Sequence, residues 1–197
     1  MISYHDIAEQ ELLGRELFTA DMGQVTTFAK GKTVLVTGGG GSIGRELCRQ
    51  LMKAEVERLI IFDAYENSLF EIENELLCEY EKDRIVGLVG SVRDAKRVSY
   101  VFETYRPDIV FHAAAHKHVP LMEKSPCESI KNNVIGTYIT ACAAVSCGCR
   151  RFILISTDKA VNPTNVMGAS KRICEMLIQS FDHMIKQGRA EEIPRLF

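Results

Sequence analysis

Residues 33–44 read TVLVTGGGGSIG, and this stretch decides the fold. Thr33 to Thr37 is a short β-branched, apolar run of the kind that forms a buried strand. Four glycines follow, and from Ser42 to Ala54 the apolar spacing becomes that of a helix. A strand that turns through glycines into a helix presents bare backbone N–H groups, and the helix dipole then favours an anion. Within the stretch Gly38 permits the tight turn, Gly41 lets the backbone approach a diphosphate, and Gly44 lets helix and strand pack closely.

Outward from this unit the same alternation repeats. Arg58 to Asp63 (RLIIFD), Ile85 to Val89, Asp108 to His112 (DIVFH) and Arg151 to Ser156 (RFILIS) read as strands. Helical spacing covers Glu66 to Glu81, Asp94 to Tyr105 with Asp94 as N-cap, Glu128 to Ser146 and Met167 to Lys186. A loop containing Pro120 and Pro126 follows the fourth strand. Strands that alternate with helices demand a parallel sheet covered on both faces, and right-handed crossovers order it 3-2-1-4-5. The expectation is an α/β, doubly wound, Rossmann-like domain over residues 31–197, preceded by an N-terminal arm of residues 1–30 with little periodicity. Six strands complete such a fold, so the last strand and a substrate-capping domain are read as missing.

Composition narrows the function. Hydrophobic content of 46%, 25% charged residues and a net charge of -2 suit an ordinary globular protein, with no call for nucleic acid or a membrane surface as partner. No apolar run reaches the roughly 20 residues that span a bilayer, and Met1 to Gly14 is too polar for a signal peptide. Seven scattered cysteines imply a reducing, cytoplasmic setting. Cys48, Cys78, Cys142 and Cys174 lie in apolar helical patterns, as small buried hydrophobes do. Cys147-Gly148-Cys149 lacks a second pair, and His116 with His118 lies in a loop, so no metal site is expected.

The chemistry-bearing residues gather at the carboxyl ends of the strands. Thr37, Gly38, Gly41, Ser42, Ile43 and Gly44 form the diphosphate loop of a dinucleotide site. Asp63 ends the second strand, where a carboxylate accepts from the adenosine ribose and repels a 2′-phosphate, so NAD is preferred over NADP. Ser91 and Val92 follow the third strand, and Ala113, Ala114 and Ala115 let the fourth lie against the cofactor. Thr157, Asp158 and Lys159 leave the fifth strand together. Met167 and Lys171 are four apart and share a helix face. Short-chain dehydrogenases carry Tyr-x-x-x-Lys on this helix. Here Met167 stands at the tyrosine position, and a thioether exchanges no proton near neutrality, which disfavours an ordinary alcohol dehydrogenase.

STDKAVNPTNVMGASKR at 156–172 resembles the signature of the capsular-polysaccharide (CapD-like) branch of the nucleotide-sugar 4,6-dehydratases, which are extended short-chain dehydrogenases. GKTVLVTGGGGSIGRELCRQL at 31–51, HAAAHKHVPLME at 112–123, NNVIGT at 132–137 and Leu12 to Arg15 agree with it. The resemblance implies NAD-dependent dehydration of UDP-N-acetylglucosamine to a 4-keto-6-deoxy sugar. It makes Lys159 the base at C5, Asp158 the acid at the C6 hydroxyl and Thr157 the partner of the C4 hydroxyl, while Lys171 holds the nicotinamide ribose. It also puts His116, Lys117 and Asn162 at the sugar, Asn133 at the cofactor, and the helices 128–146 and 167–186 in a homo-oligomer interface. The Ser91 position often carries an acid in this group, a departure that weakens the match there. Two alternatives stay open: a UDP-sugar 4-epimerase, and a non-catalytic NAD-binding fragment.

Overall fold

Alternating strands and helices build one parallel sheet in the computed structural model, which describes residues 22–195. The strands are β1 (Thr33–Thr37), β2 (Arg58–Asp63), β3 (Ile85–Val89), β4 (Ile109–His112) and β5 (Arg151–Leu154). Their order is β3-β2-β1-β4-β5, the doubly wound arrangement expected from the alternation. The main helices are α1 (Met22–Ala29), α2 (Ser42–Lys53), α3 (Glu66–Leu77) and α4 (Ala95–Tyr105). After β4 come α5 (Val119–Lys124), α6 (Pro126–Ser129), a π-helical segment (Ile130–Ile135) and α7 (Gly136–Cys147), and α8 (Val166–Lys186) follows β5.

Side chains alternate across the sheet, so each central strand feeds two cores. Val34, Val36, Leu59 and Ile61 pack with Cys48, Leu51 and Ile72 on one face. Leu35, Ile60 and Phe62 pack with Val98, Phe102, Ile139 and Ala143 on the other. Each fully buried Val, Leu or Ile contributes about 1.5–3 kcal/mol. That double burial keeps the central strands rigid. The register puts Thr37 beside Phe62 on one flank and His112 on the other. The chain leaves β1 and β4 in opposite directions at this point, and the sheet opens there into a crevice.

Several local details differ from the sequence reading. The single helix expected over Glu128 to Ser146 is three segments, with a π turn between two α-helical stretches. The proline-bearing loop contains α5 and α6, because Pro120 and Pro126 both fall in first turns, where the missing N–H is no loss. α3 stops at Leu77, and Cys78 just beyond it is exposed rather than buried, whereas Cys48, Cys142 and Cys174 are buried as expected. The Asp94 cap is present, its Oδ1 accepting from Arg97 N–H at 3.0 Å. Most of the expected N-terminal arm lies outside the described residues; its described end is α1, whose Ala29 is buried in the first core.

Candidate active site

The crevice is a cleft of about 580 Å³ between the loop after β1 and the loop after β4. Gly38 adopts φ +69°, and its N–H donates to Phe62 O at 2.8 Å, turning the chain sharply off the strand. The first bond closing α2 runs from Arg45 N–H to Gly41 O, so the amides of Ser42 and Ile43 precede the helical ladder where they line the cleft. No side chain caps this helix. Gly44 sits so close to the loop that a Cβ there would lie 2.1 Å from Gly38 O.

Asp63 is buried at the cleft floor. Its Oδ2 accepts from Gly40 N–H at 2.8 Å and its Oδ1 from Tyr65 N–H at 2.9 Å. A carboxylate offers about four acceptor directions, so this one is fixed by the backbone with capacity left for a ligand's hydroxyls. Gly90, Ser91, Val92 and Arg93 form one wall. Ser91 Oγ accepts from Arg93 N–H at 3.2 Å, and the Arg93 guanidinium donates to Glu128 at 2.9 Å. Ala113, Ala114, Ala115, His116 and Lys117 form the other wall. Lys117 Nζ reaches across the mouth to Ser42 Oγ at 3.5 Å, so this lysine faces the helix N-terminus. Burial, reinforced by the Arg93 charge, pushes His116 below its ordinary value.

The sequence reading missed Tyr65, Ser68, Arg93 and Asn132 in the cleft lining. Tyr65 and Ser68 open the helix directly after Asp63, and Arg93 directly follows Val92, so adjacency was an available signal. Asn132 opens the NNVIGT stretch at 132–137, so its neighbour Asn133 was the available signal. Thr37 and Asn133 are buried beneath the cleft rather than on its surface. Asn133 sits in the π segment, where its Oδ1 accepts from His116 N–H at 2.7 Å. Its Nδ2 donates to His116 O at 3.0 Å and to Ser170 Oγ at 2.9 Å. One amide thus clamps the His116 loop to α8.

Thr157, Asp158, Lys159, Met167 and Lys171 form a second group at the end of β5, outside the cleft lining. Lys171 is only 5% exposed, and its Nζ donates to Ile155 O at 2.6 Å. Burial lowers its pKa, with Cys174 and Glu175 pulling the other way. Ser156 Oγ donates to Glu175 Oε1 at 2.6 Å, giving the loop a second tether to α8. Asp158 to Ala160 make a 3-10 turn capped by Thr157, whose Oγ1 accepts from Lys159 N–H at 3.4 Å. Thr157 Oγ1 and Lys159 Nζ both donate to Asp158 Oδ1, at 2.9 and 3.2 Å, and these bonds hold the Asp158 carboxyl below its usual range. The Asp158 and Lys159 side chains are 84% and 49% exposed. An ion pair this exposed stabilises a fold by little, so stability alone gives no reason for the pair.

Gly168 was not singled out in the sequence. A Cβ on it would lie 2.2 Å from Lys159 O, so this glycine lets the 3-10 turn seat directly on α8. The start of α8 is fixed by Asn165 Oδ1, accepting from Gly168 N–H at 2.7 Å, and by Glu123 Oε1, accepting from Val166 N–H at 2.7 Å. Met167 is buried there. Asn162 has φ +47°, is exposed, and lies outside the cleft lining. Among the described residues no cluster of three His, Cys, Asp or Glu side chains is arranged to hold a metal. None of the described helices is long and apolar enough to cross a membrane.

The chain is similar to several known proteins. The chain is 47% identical over 176 residues to the probable polysaccharide biosynthesis protein EpsC of Bacillus subtilis, covering 89% of this chain and 29% of that protein. It is 36% identical over 148 residues to a UDP-N-acetylglucosamine 4,6-dehydratase (inverting) of Campylobacter jejuni, covering 75% of this chain and 42% of the relative. The chain therefore spans less than half the length of either relative. Among solved structures, Pen from Bacillus thuringiensis superposes with a TM-score of 0.74 at 32% identity, over 79% of this chain and 48% of that one. DesIV of Streptomyces venezuelae, a dTDP-glucose 4,6-dehydratase with NAD and TYD bound, has the same fold, with a TM-score of 0.69 at 22% identity over 78% of this chain and 52% of that one. A family model described as "Polysaccharide biosynthesis protein" matches residues 34–193, and the chain belongs to that family.

Proposed function

We propose that the cleft binds NAD and that the chain carries the cofactor-binding and proton-transfer parts of a UDP-N-acetylhexosamine 4,6-dehydratase. The observation that carries this reading is the juxtaposition at the end of β5. A Thr-Asp-Lys turn is seated on the helix of a buried lysine, and a buried thioether stands where a proton-exchanging tyrosine would be needed for simple alcohol oxidation.

The cleft suits a dinucleotide. Its glycine loop brings the Ser42 and Ile43 amides to the surface, Lys117 adds a cation at the same mouth, and backbone-anchored Asp63 suits a ribose diol better than a 2′-phosphate. The fold neighbour DesIV, solved with NAD bound, supports NAD as the ligand. Bound there, a nicotinamide would accept hydride from the sugar and return it. The chain's own residues then handle protons. As the C4 ketone forms, the C4 hydroxyl proton passes through Thr157 to the Asp158 carboxylate along their 2.9 Å bond. Lys159, as the free amine, takes the proton from C5, which the ketone acidifies, and Asp158 delivers its proton to the C6 hydroxyl, which departs as water. Lys159 then gives its proton back to C5 once C6 is reduced. Thr157 hydrogen-bonds the C4 hydroxyl, and Lys171 holds the nicotinamide ribose. His116 and Asn162 are assigned to the sugar; Lys117, expected there too, faces the N-terminus of α2 and is assigned instead to the diphosphate. Exposed Ile135, Ile173 and Met176 on the π segment and α8 suit a second copy of the chain as partner.

The test mixes the purified chain with NAD and UDP-N-acetylglucosamine, measures NAD binding by calorimetry and follows the sugar by proton NMR. A 4-keto-6-deoxy sugar, lost in Lys159→Ala, is the expected product. A C4 epimer would replace the dehydratase with an epimerase. NAD binding with an unchanged sugar would leave only the cofactor-binding part of the proposal standing.

A further inference from the structure

β4 ends on a histidine that solvent does not reach. His112 is fully buried, and both ring nitrogens are engaged, Nδ1 with Thr37 Oγ1 at 2.7 Å and Nε2 with Thr137 Oγ1 at 3.0 Å. The remaining contacts set the direction of these bonds. The Cys174 thiol lies 3.1 Å from both Asn133 O and Ser170 O, which can only accept, so the thiol donates to them. Thr137 Oγ1 donates to Cys174 Sγ at 3.5 Å, which uses its one hydrogen. Thr137 must therefore accept from His112 Nε2–H. Nδ1 is left as the bare acceptor, and Thr37 donates to it. Burial keeps the ring neutral, its pKa pushed down to about 3 with the Lys171 charge adding to the effect.

The ends of this chain of bonds matter. Thr37 is the residue before Gly38, and Cys174 lies three residues beyond Lys171 on α8. Asn133, whose carbonyl accepts at the far end, clamps the His116 loop with its side chain. We infer that His112 is a positioning residue: as the Nε2–H tautomer it closes a one-way hydrogen-bonded chain that holds the glycine-rich loop in register with the Lys171 helix. An apolar side chain would fill the same space without desolvating an imidazole and two hydroxyls. A fully satisfied buried polar network instead specifies one geometry. The inference rests on the dinucleotide reading of the cleft.

Two measurements test it. Nitrogen-15 correlation spectra of the imidazoles at neutral pH are expected to give His112 as a static Nε2–H tautomer; an Nδ1–H or averaging ring overturns the inference. Thr137→Val keeps the side-chain shape, removes the acceptor and lies outside the cleft lining. It is expected to weaken NAD binding at least fivefold at a temperature where the protein is fully folded. Val101→Ala, which loosens the same core from α4 without touching the chain of bonds, stays within twofold of wild type. Thr137→Val binding within twofold of wild type also overturns the inference. If the wild-type chain binds no NAD, the cofactor reading fails separately. The positioning role is then decided by the backbone amide resonances of Gly38 to Gly41, which must shift in Thr137→Val and would stay fixed if His112 only packs.

Discussion

Gly44→Ala and Gly41→Ala separate the packing role of the glycine loop from its binding role. A Cβ on Gly44 would sit 2.1 Å from Gly38 O and 2.7 Å from Gly39 Cα, roughly 1.3 Å short of ordinary contact at the oxygen. Both obstructing atoms are backbone, so no rotamer change relieves them and the loop itself must move. Overpacking of this kind costs about 1–3 kcal/mol, offset by roughly 1 kcal/mol because alanine favours the helix more than glycine does. With backbone as the obstacle the upper part of that range, about 2–3 kcal/mol, applies, and the expected net loss is about 1–2 kcal/mol. A loop displaced by about 1 Å also misdirects the Ser42 and Ile43 amides, and losing about 2 kcal/mol of binding corresponds to roughly 30-fold weaker NAD. At Gly41 the nearest atom to an added Cβ is Gly38 O at 3.3 Å, and φ is -72°, which any residue adopts. Gly41→Ala should therefore fold within about 0.5 kcal/mol of wild type while its methyl obstructs the diphosphate. Urea denaturation and NAD calorimetry on both variants give the two numbers. Wild-type NAD affinity in Gly44→Ala, or equal stability losses in the two variants, would refute the reasoning.

Three further outcomes are expected. His112 should make the fold acid-sensitive: with a folded value of about 3 against about 6.5 unfolded, its contribution is complete above pH 6.5 and declines as pH falls toward 3. Between pH 7.5 and 5 that amounts to about 2 kcal/mol, seen as the extra pH dependence of urea stability in wild type over His112→Gln; parallel curves would contradict it. Lys171→Met should raise the urea midpoint, because burial disfavours the ammonium and lowers its pKa, yet weaken NAD binding; a lower midpoint counts against this account. Gly168→Ala should push the Asp158–Ala160 turn off α8, reducing dehydration about 100-fold with NAD affinity kept within about twofold, as misplacing a reacting group by ~1 Å does; unchanged product formation in the NMR assay argues otherwise.

The sheet was legible because its signals are local. TVLVT, RLIIFD and RFILIS each announce a strand, and the glycines after TVLVT announce what the first turn does. The cleft was legible to the same extent, since Gly38, Gly41, Asp63, Ser91 and Ala113 to Ala115 each lie at a strand end or within four residues beyond it. What escaped depends on contacts between distant segments. α7 is buried nearly all round, so no apolar stripe marked where the π turn gives way to it. Gly168 acquires its meaning only when the Lys159 carbonyl arrives above it. His112 ends a strand like any other residue until Thr37 and Thr137 close on it from two other elements.

The π segment also governs how this part of the chain can change. A regular helix advances about 100° per residue, and a wide turn takes in one residue more for the same turn. The helix from Pro126 to Cys147 therefore runs in two phases, one before the bulge and one after it. Asn133 points its amide at the His116 backbone in that widened turn, while Thr137, Thr140 and Ala144 are buried in the next phase. Losing a single residue between 130 and 135 would restore a regular helix and swing one set by about 100° relative to the other. Length here acts like a reading frame: substitutions can be absorbed one at a time, but a one-residue deletion must break either the clamp on the loop or the packing on the sheet.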